Sequence, residues 1–267
     1  ETAGIFRHMD FDTRIAGFAD FVGRKKYLYD DNGHGTHVAG IIAGSGKGSN
    51  GKYRGIAPDT FLVSVKVLDK SGNGKIENVV EAAGWIIENK SAMNIRVVNI
   101  SFGTRAKMEN GPAIETGEDD YALIMAVEKM WDSGIVVVAA AGNNGPGNTS
   151  VTAPGISKKI ITVGAFDDKN FFSGRGPTRE CIVKPEVVVT GSNIIACNNH
   201  QGRYSSKSGT SMAAPVVSGA VARLIKNNPD ITPKEVKIWM KSCCKKINVP
   251  SEKQGWGVLD IRKFVTG

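Results

Sequence analysis

Five apolar runs of strand length, separated by stretches of helical spacing, most restrict what this sequence can become. They are FLVSVKVL (61–68), RVVNIS (96–101), IVVVAAAG (135–142), IITVGA (160–165) and EVVVTG (186–191). Several are continuously apolar rather than alternating, the pattern of strands buried on both faces. Between them Ile76, Val79, Val80, Ala83 and Ile87 recur at helical intervals, as do Leu123, Ile124, Val127 and Met130. This alternation predicts an α/β fold, a single three-layer domain with a mostly parallel β-sheet between helices. Thr232, Pro233 and Glu235 read as another helix start: cap, first-position proline and reciprocal capping glutamate. There is no internal repeat or long linker, so one domain is expected over residues 1–267.

Composition removes other classes. The longest apolar run, GIVVVAAAG, is too short for a membrane span, which needs about 20 residues. The net charge of +8 comes from lysines spread along the chain, which describes a solvated basic face rather than a nucleic-acid site. Cys181, Cys197, Cys243 and Cys244 include no CxxC pair. Idle thiols fit a reducing compartment, and a cytoplasmic location is favoured over a secreted one. The opening ETAGIFRHMDF carries no signal-peptide pattern.

Three segments suggest chemistry. In DDNGHGTHVAGIIAGSG, His34 lies between glycines at the start of an apolar helix. His37 follows three residues later, without a third ligand at zinc spacing. In VVVAAAGNNGPG, a buried strand delivers Asn143 into a glycine-rich turn, although such pairs also simply mark turns. In KSGTSMAAPVVSGAVARLI, Ser211 begins an amphipathic helix, where a lone serine is more often a cap. Free N–H groups at such a start can also hold an oxyanion, and a nearby imidazole would make the hydroxyl a nucleophile.

Taken together, NGHGTHVAG, NISFG, AAAGN and GTSMAAP, in this order, resemble the subtilisin-like (subtilase) serine peptidases, from about Gly4 to GWGVLDI. The resemblance implies a serine endopeptidase that hydrolyses extended polypeptide through an acyl-enzyme. It implies Ser211 as nucleophile, His34 as general base, and Asn143 with the Ser211 N–H as oxyanion donors. Ser101, Phe102, Gly103, Gly72, Asn73 and Gly74 would flank the peptide, and Ala140 and Gly142 would line a pocket suited to large apolar side chains. The implied partners are a polypeptide substrate and an inhibitory pro-segment, with no nucleic acid and no membrane. No cofactor is implied for the chemistry. Structural calcium is left open, with Asp10 near the family's site and the completing loop not recognisable in GSGKGSNGKYRGIAP.

One element departs from the family pattern. The catalytic aspartate belongs to an Asp-Thr/Ser-Gly motif ending the first sheet strand, whereas ETA precedes Gly4 here. Read without gaps Thr2 takes the acid's position, and with one insertion Glu1 does. Asp30 and Asp31 read as turn or capping residues. In subtilisin, the relative from which the figures come, losing the acid costs about 3 × 10⁴ in kcat, against about 2 × 10⁶ for the nucleophile. The first strand and its aspartate are therefore expected upstream of the residues given. The alternative is a catalytically impaired pseudoprotease that binds peptides or partner proteins.

Overall fold

The computed structural model describes residues 3–104 and 117–266. The amino-terminal half contains β1 (Ile15–Asp20), α1 (His34–Ala43), β2 (Leu62–Lys66), α2 (Ile76–Asn89), β3 (Val97–Ile100) and α3 (Glu118–Asp132). Two central strands follow, β4 (Val136–Ala140) and β5 (Ile161–Ala165), and then β6 (Val187–Val189). The hairpin β7 (Ile194–Cys197) and β8 (Tyr204–Lys207) leads into α4 (Thr210–Asn227) and α5 (Pro233–Ser242). Short elements end the chain: β9 (Cys244–Lys245), α6 (Ser251–Gln254), β10 (Val258–Leu259) and α7 (Ile261–Thr266).

All five apolar runs form strands. Those of the main sheet run in the order β3-β4-β5-β6-β10-β9, parallel except for the final β10–β9 pair. β1 and β2 form a separate parallel pair, and β7 with β8 a small antiparallel one. The expected single sheet is thus divided: no described strand bridges β2 and β3.

Strand β4 shows why its sequence is apolar throughout. Val136, Val138 and Ala140 pack into the cluster shared with α1, α4 and α5, while Val137 and Ala139 join the cluster shared with α2 and α3. Successive side chains point to opposite faces, so a strand between two helical layers must be apolar at every position. Each fully buried valine or leucine contributes about 1.5–3 kcal/mol. Both clusters lie against the strands whose carboxyl ends carry the candidate site.

The α5 start forms as its sequence predicts. Thr232 Oγ1 accepts from the Glu235 N–H, and Glu235 Oε2 accepts from the Thr232 N–H at 2.8 Å.

Candidate active site

At the carboxyl ends of the parallel strands lies a cavity of about 320 Å³. His34, the first residue of α1, lines it, together with Ser101–Thr104 after β3, Asn143 after β4, and Ser211 in α4. The segments distant in sequence that carry His34, Asn143 and Ser211 therefore share one void.

The start of α1 is held by Asp30. Its Oδ1 accepts from the N–H groups of Asn32 and Gly33, and its Oδ2 from the Thr36 N–H and hydroxyl. This is the capping role expected of Asp30. Asp31 pairs instead with buried Lys66 at 2.8 Å. Glu1 and Thr2, the two residues near the family's acid position, lie outside the described residues.

Ser211 does not cap its helix. The N-cap is Gly209, at φ +149°, a conformation open essentially to glycine, and Ser211 is the second helical residue. Its hydroxyl donates to the Ser101 carbonyl at 2.9 Å. Pro215 explains a reciprocal contact. Having no N–H, it cannot bond the carbonyl four residues back. The Ser211 carbonyl accepts from the Ser101 hydroxyl instead, at 3.0 Å. Asn99 Nδ2 donates to that same hydroxyl, and Ser218 donates to Asn99 Oδ1, both at 2.9 Å. The end of β3 is thereby fastened to the first two turns of α4.

Asn143 is clamped by a residue that sequence reasoning missed. Thr210 donates to Asn143 Oδ1 through its N–H at 3.0 Å and its hydroxyl at 3.1 Å, while its hydroxyl accepts from Gly142 N–H. With Oδ1 so occupied, the amide nitrogen is the donor that remains. The signal for Thr210 was present in its place beside Ser211, but nothing in a Thr-Ser pair says which atom it will hold.

The substrate walls agree in part with expectation. Ser101, Phe102, Gly103, Gly72, Ala140 and Gly142 line the cavity, whereas Asn73 and Gly74 do not. The Asp69 carboxylate accepts from Ser71 and Asn73 N–H groups, curling the turn so that Gly72 faces the void. Gly74 packs towards β2, where a Cβ would meet Leu68 Cδ2 at 2.6 Å. Thr152, unremarked in the sequence, also lines the cavity. Cβ atoms on Gly103 and Gly142 would come within 2.3 and 2.6 Å of its hydroxyl, so both positions need glycine to make room for it.

His37 faces away from this chemistry. Its Nε2 lies 3.0 Å from the Ser205 carbonyl and 3.2 Å from that of Ile194, both acceptors, which makes Nε2 the protonated nitrogen. Burial, the largest influence, pulls its pKa down to about 4.

The sequence matches the profile of the subtilase family over residues 4–257, nearly the whole chain. The chain belongs to the subtilase family. It is 41% identical over 266 aligned positions to serine protease AprX of Bacillus subtilis (strain 168), covering 90% of this chain and 59% of that protein. It is 35% identical over 228 positions to subtilisin DY of Bacillus licheniformis, covering 85% and 75%. This subtilase therefore spans little more than half the length of AprX. Among solved structures, a cold-adapted subtilisin-like serine proteinase superposes with TM-score 0.77 at 30% identity, covering 97% of this chain and 84% of that one. Sphericase gives TM-score 0.81 at 25% identity, covering 96% and 88%.

A calcium site near Asp10 does not fit this subtilase. His8, Asp10 and Cys197 bring ligand atoms within 4.8 Å of one another, all buried. Their lone pairs are already engaged, however. Asp10 accepts from Gly46 and Gly48 N–H groups and from the Tyr204 hydroxyl. His8 Nδ1 accepts from Asp10 N–H, and its Nε2 faces the Arg203 carbonyl. Burial pushes the Cys197 thiol up, away from the thiolate a metal requires. The loop GSGKGSN supplies N–H donors where a cation would otherwise neutralise the carboxylate. All four cysteines are free, with Cys197 and Cys243 buried. No helix among the described residues is long and apolar enough to cross a membrane.

Proposed function

We propose that this subtilase is a serine endopeptidase acting through an acyl-enzyme on Ser211. The observation carrying the reading is the common cavity of His34, Ser211 and Asn143. In the reaction, Ser211 Oγ turns from the Ser101 carbonyl towards the imidazole and attacks the scissile carbonyl carbon. His34 takes the hydroxyl proton as the new C–O bond forms. The tetrahedral oxyanion accepts from Asn143 Nδ2 and the Ser211 N–H, donors fixed beforehand by Thr210 and by the start of α4. Collapse breaks the C–N bond, and His34 returns the proton to the leaving amine. Water then repeats the cycle on the acyl ester, with His34 again as base.

The substrate is an extended polypeptide lying between the Ser101–Gly103 segment and the turn at Gly72. Ala140 and Gly142 leave room for a side chain, as the sequence suggests. Thr152 narrows that room, which favours side chains of medium size over the largest apolar ones.

Asp30 and Asp31 are committed elsewhere, to the start of α1 and to Lys66. The folded chain is the sample for the test. An activated ester should give a burst of leaving group of about one equivalent, followed by slower turnover, and Ser211→Ala should remove both phases. Peptide binding with neither burst nor turnover, in a folded sample of that kind, would overturn the proposal.

A further inference from the structure

The turn that carries Asn143 is held from behind by a loop with no part in the reaction steps above. Gly145 N–H donates to the Phe172 carbonyl, and the Gly142 carbonyl accepts from Gly174 N–H, both at 2.9 Å. Asn143 thus sits between two anchor points on the 168–175 segment. The two backbones approach closely: a Cβ on Gly145 would lie 2.4 Å from the Ser173 carbonyl oxygen and 2.6 Å from that of Phe171. Phe171 itself has φ +53°, a left-handed conformation that is rare for a bulky residue. Such a conformation persists only where its surroundings fix it.

What fixes it comes from α6, more than 80 residues further along the chain. Asp168 begins the loop, and its side chain is fully buried. Its Oδ2 accepts from Ser173 N–H at 3.0 Å, and its carbonyl from Phe171 N–H at 2.8 Å. Oδ1 meets no donor at hydrogen-bonding angles among the described residues, so the charge of Lys253 Nζ, 2.7 Å away, is what balances it. Lys253 belongs to α6 and is itself mostly buried, with Nζ 5.5 Å from the centre of the Phe171 ring. Arg175 adds a second cation, its Cζ 5.9 Å from the same centre. Gly176 N–H donates to the Glu252 carbonyl at 2.9 Å, which ties the other end of the loop to α6. A buried carboxylate without its counter-ion is strongly unfavourable, so the loop is shaped around this pair.

We infer that Lys253 is a positioning residue for the oxyanion site. Through Asp168 it holds the loop that fixes the 142–145 turn, and so it aims Asn143 Nδ2. Lys253 does not line the catalytic cavity and touches no reacting atom. Thr210 sets which atom of Asn143 donates, whereas the Lys253–Asp168 pair sets where the turn stands relative to α4. One ammonium serves two partners here, the buried carboxylate and the Phe171 ring. This role rests on the catalytic reading above, and the two fail under different results.

Steady-state kinetics on a peptide substrate, with Lys253→Met alone and combined with Asn143→Ala, tests it. Lys253→Met should lower kcat by about tenfold with KM changed by less than about twofold, because the oxyanion donor acts in the transition state. In the Asn143→Ala background the same change should lower kcat by less than about twofold, since no side-chain donor is left to aim. Lys253→Arg, which keeps the charge and can stack on Phe171, should recover most of the loss. Amide exchange of Gly145 and Gly174, independent of turnover, should quicken by about tenfold in Lys253→Met without a matching change in α4. An equal loss of kcat in both backgrounds, unchanged kcat, or unchanged exchange at the two glycines would overturn the inference while the catalytic reading stands. A folded chain with neither turnover nor acylation at Ser211 would overturn that reading, and this role with it. Should Lys253→Met not fold, its combination with Asp168→Asn leaves no unpaired charge buried and is judged by the same comparisons.

Discussion

At the scale of single residues, the site depends on groups that hold the reacting ones. Asn143 presents its amide nitrogen because Thr210 occupies its oxygen twice. Asn143→Ala is expected to lower kcat by about 10²–10³, the cost of removing one oxyanion-hole donor in subtilisin, from which that figure comes. Thr210→Val removes the hydroxyl clamp but leaves the backbone bond. It should lower kcat by about tenfold, equivalent to one hydrogen bond of about 1.4 kcal/mol, with KM little changed. Steady-state kinetics on a peptide substrate separates the two effects. Thr152→Gly should enlarge the pocket and raise kcat/KM for large apolar side chains relative to medium ones, by roughly 10–200-fold if about a methylene or two of space is gained. An unchanged ratio in a side-chain series would remove Thr152 from the specificity pocket.

At the scale of elements, α4 carries Ser211 in its first turn and a buried structural body beyond it. Leu224, 1% exposed, sits in the cluster that joins α4 to the main sheet. Leu224→Ala should destabilise the fold by about 2–5 kcal/mol, measured by denaturant unfolding, with the loss set by how far the helix can settle into the gap. The four strands β3–β6 of the main sheet were legible from the sequence because burial on both faces leaves a largely apolar run, as in Val136–Ala140, whereas the two-residue strands β9 and β10 were not. The capping box at Thr232 was legible because it is local. β1 was not: its IAGFAD contains two alanines and a glycine and pairs with β2 in a register broken between Ile15 and Gly17. The β7–β8 hairpin was missed for a similar reason, its YSSK strand being largely polar. In the site, His34, Asn143 and Ser211 were legible through the family resemblance. Thr210, Thr152, Asn99 and Ser218 were not, since their roles arise from contacts between segments tens of residues apart.

At the scale of the whole molecule, stability depends on pH. The folded-state pKa of His37, about 4, lies below its ordinary value of 6.5, so the unfolded chain binds the proton more readily. The stabilisation is therefore fully present above pH 6.5 and is lost as pH falls towards 4, by on the order of 3 kcal/mol. His8 is shifted downward too, by burial first, and acts with the same sign. Unfolding free energies measured from pH 7 to pH 4 should fall, and His37→Gln should flatten that slope.

The central claim is that Ser211 is a nucleophile made reactive by His34. A fluorophosphonate probe, followed by mass spectrometry of the digested protein, tests it most directly. The predicted result is one covalent adduct, on the peptide containing Ser211, lost in His34→Ala. A folded protein that remains unlabelled, or is labelled on another residue with Ser211 untouched, would contradict the account.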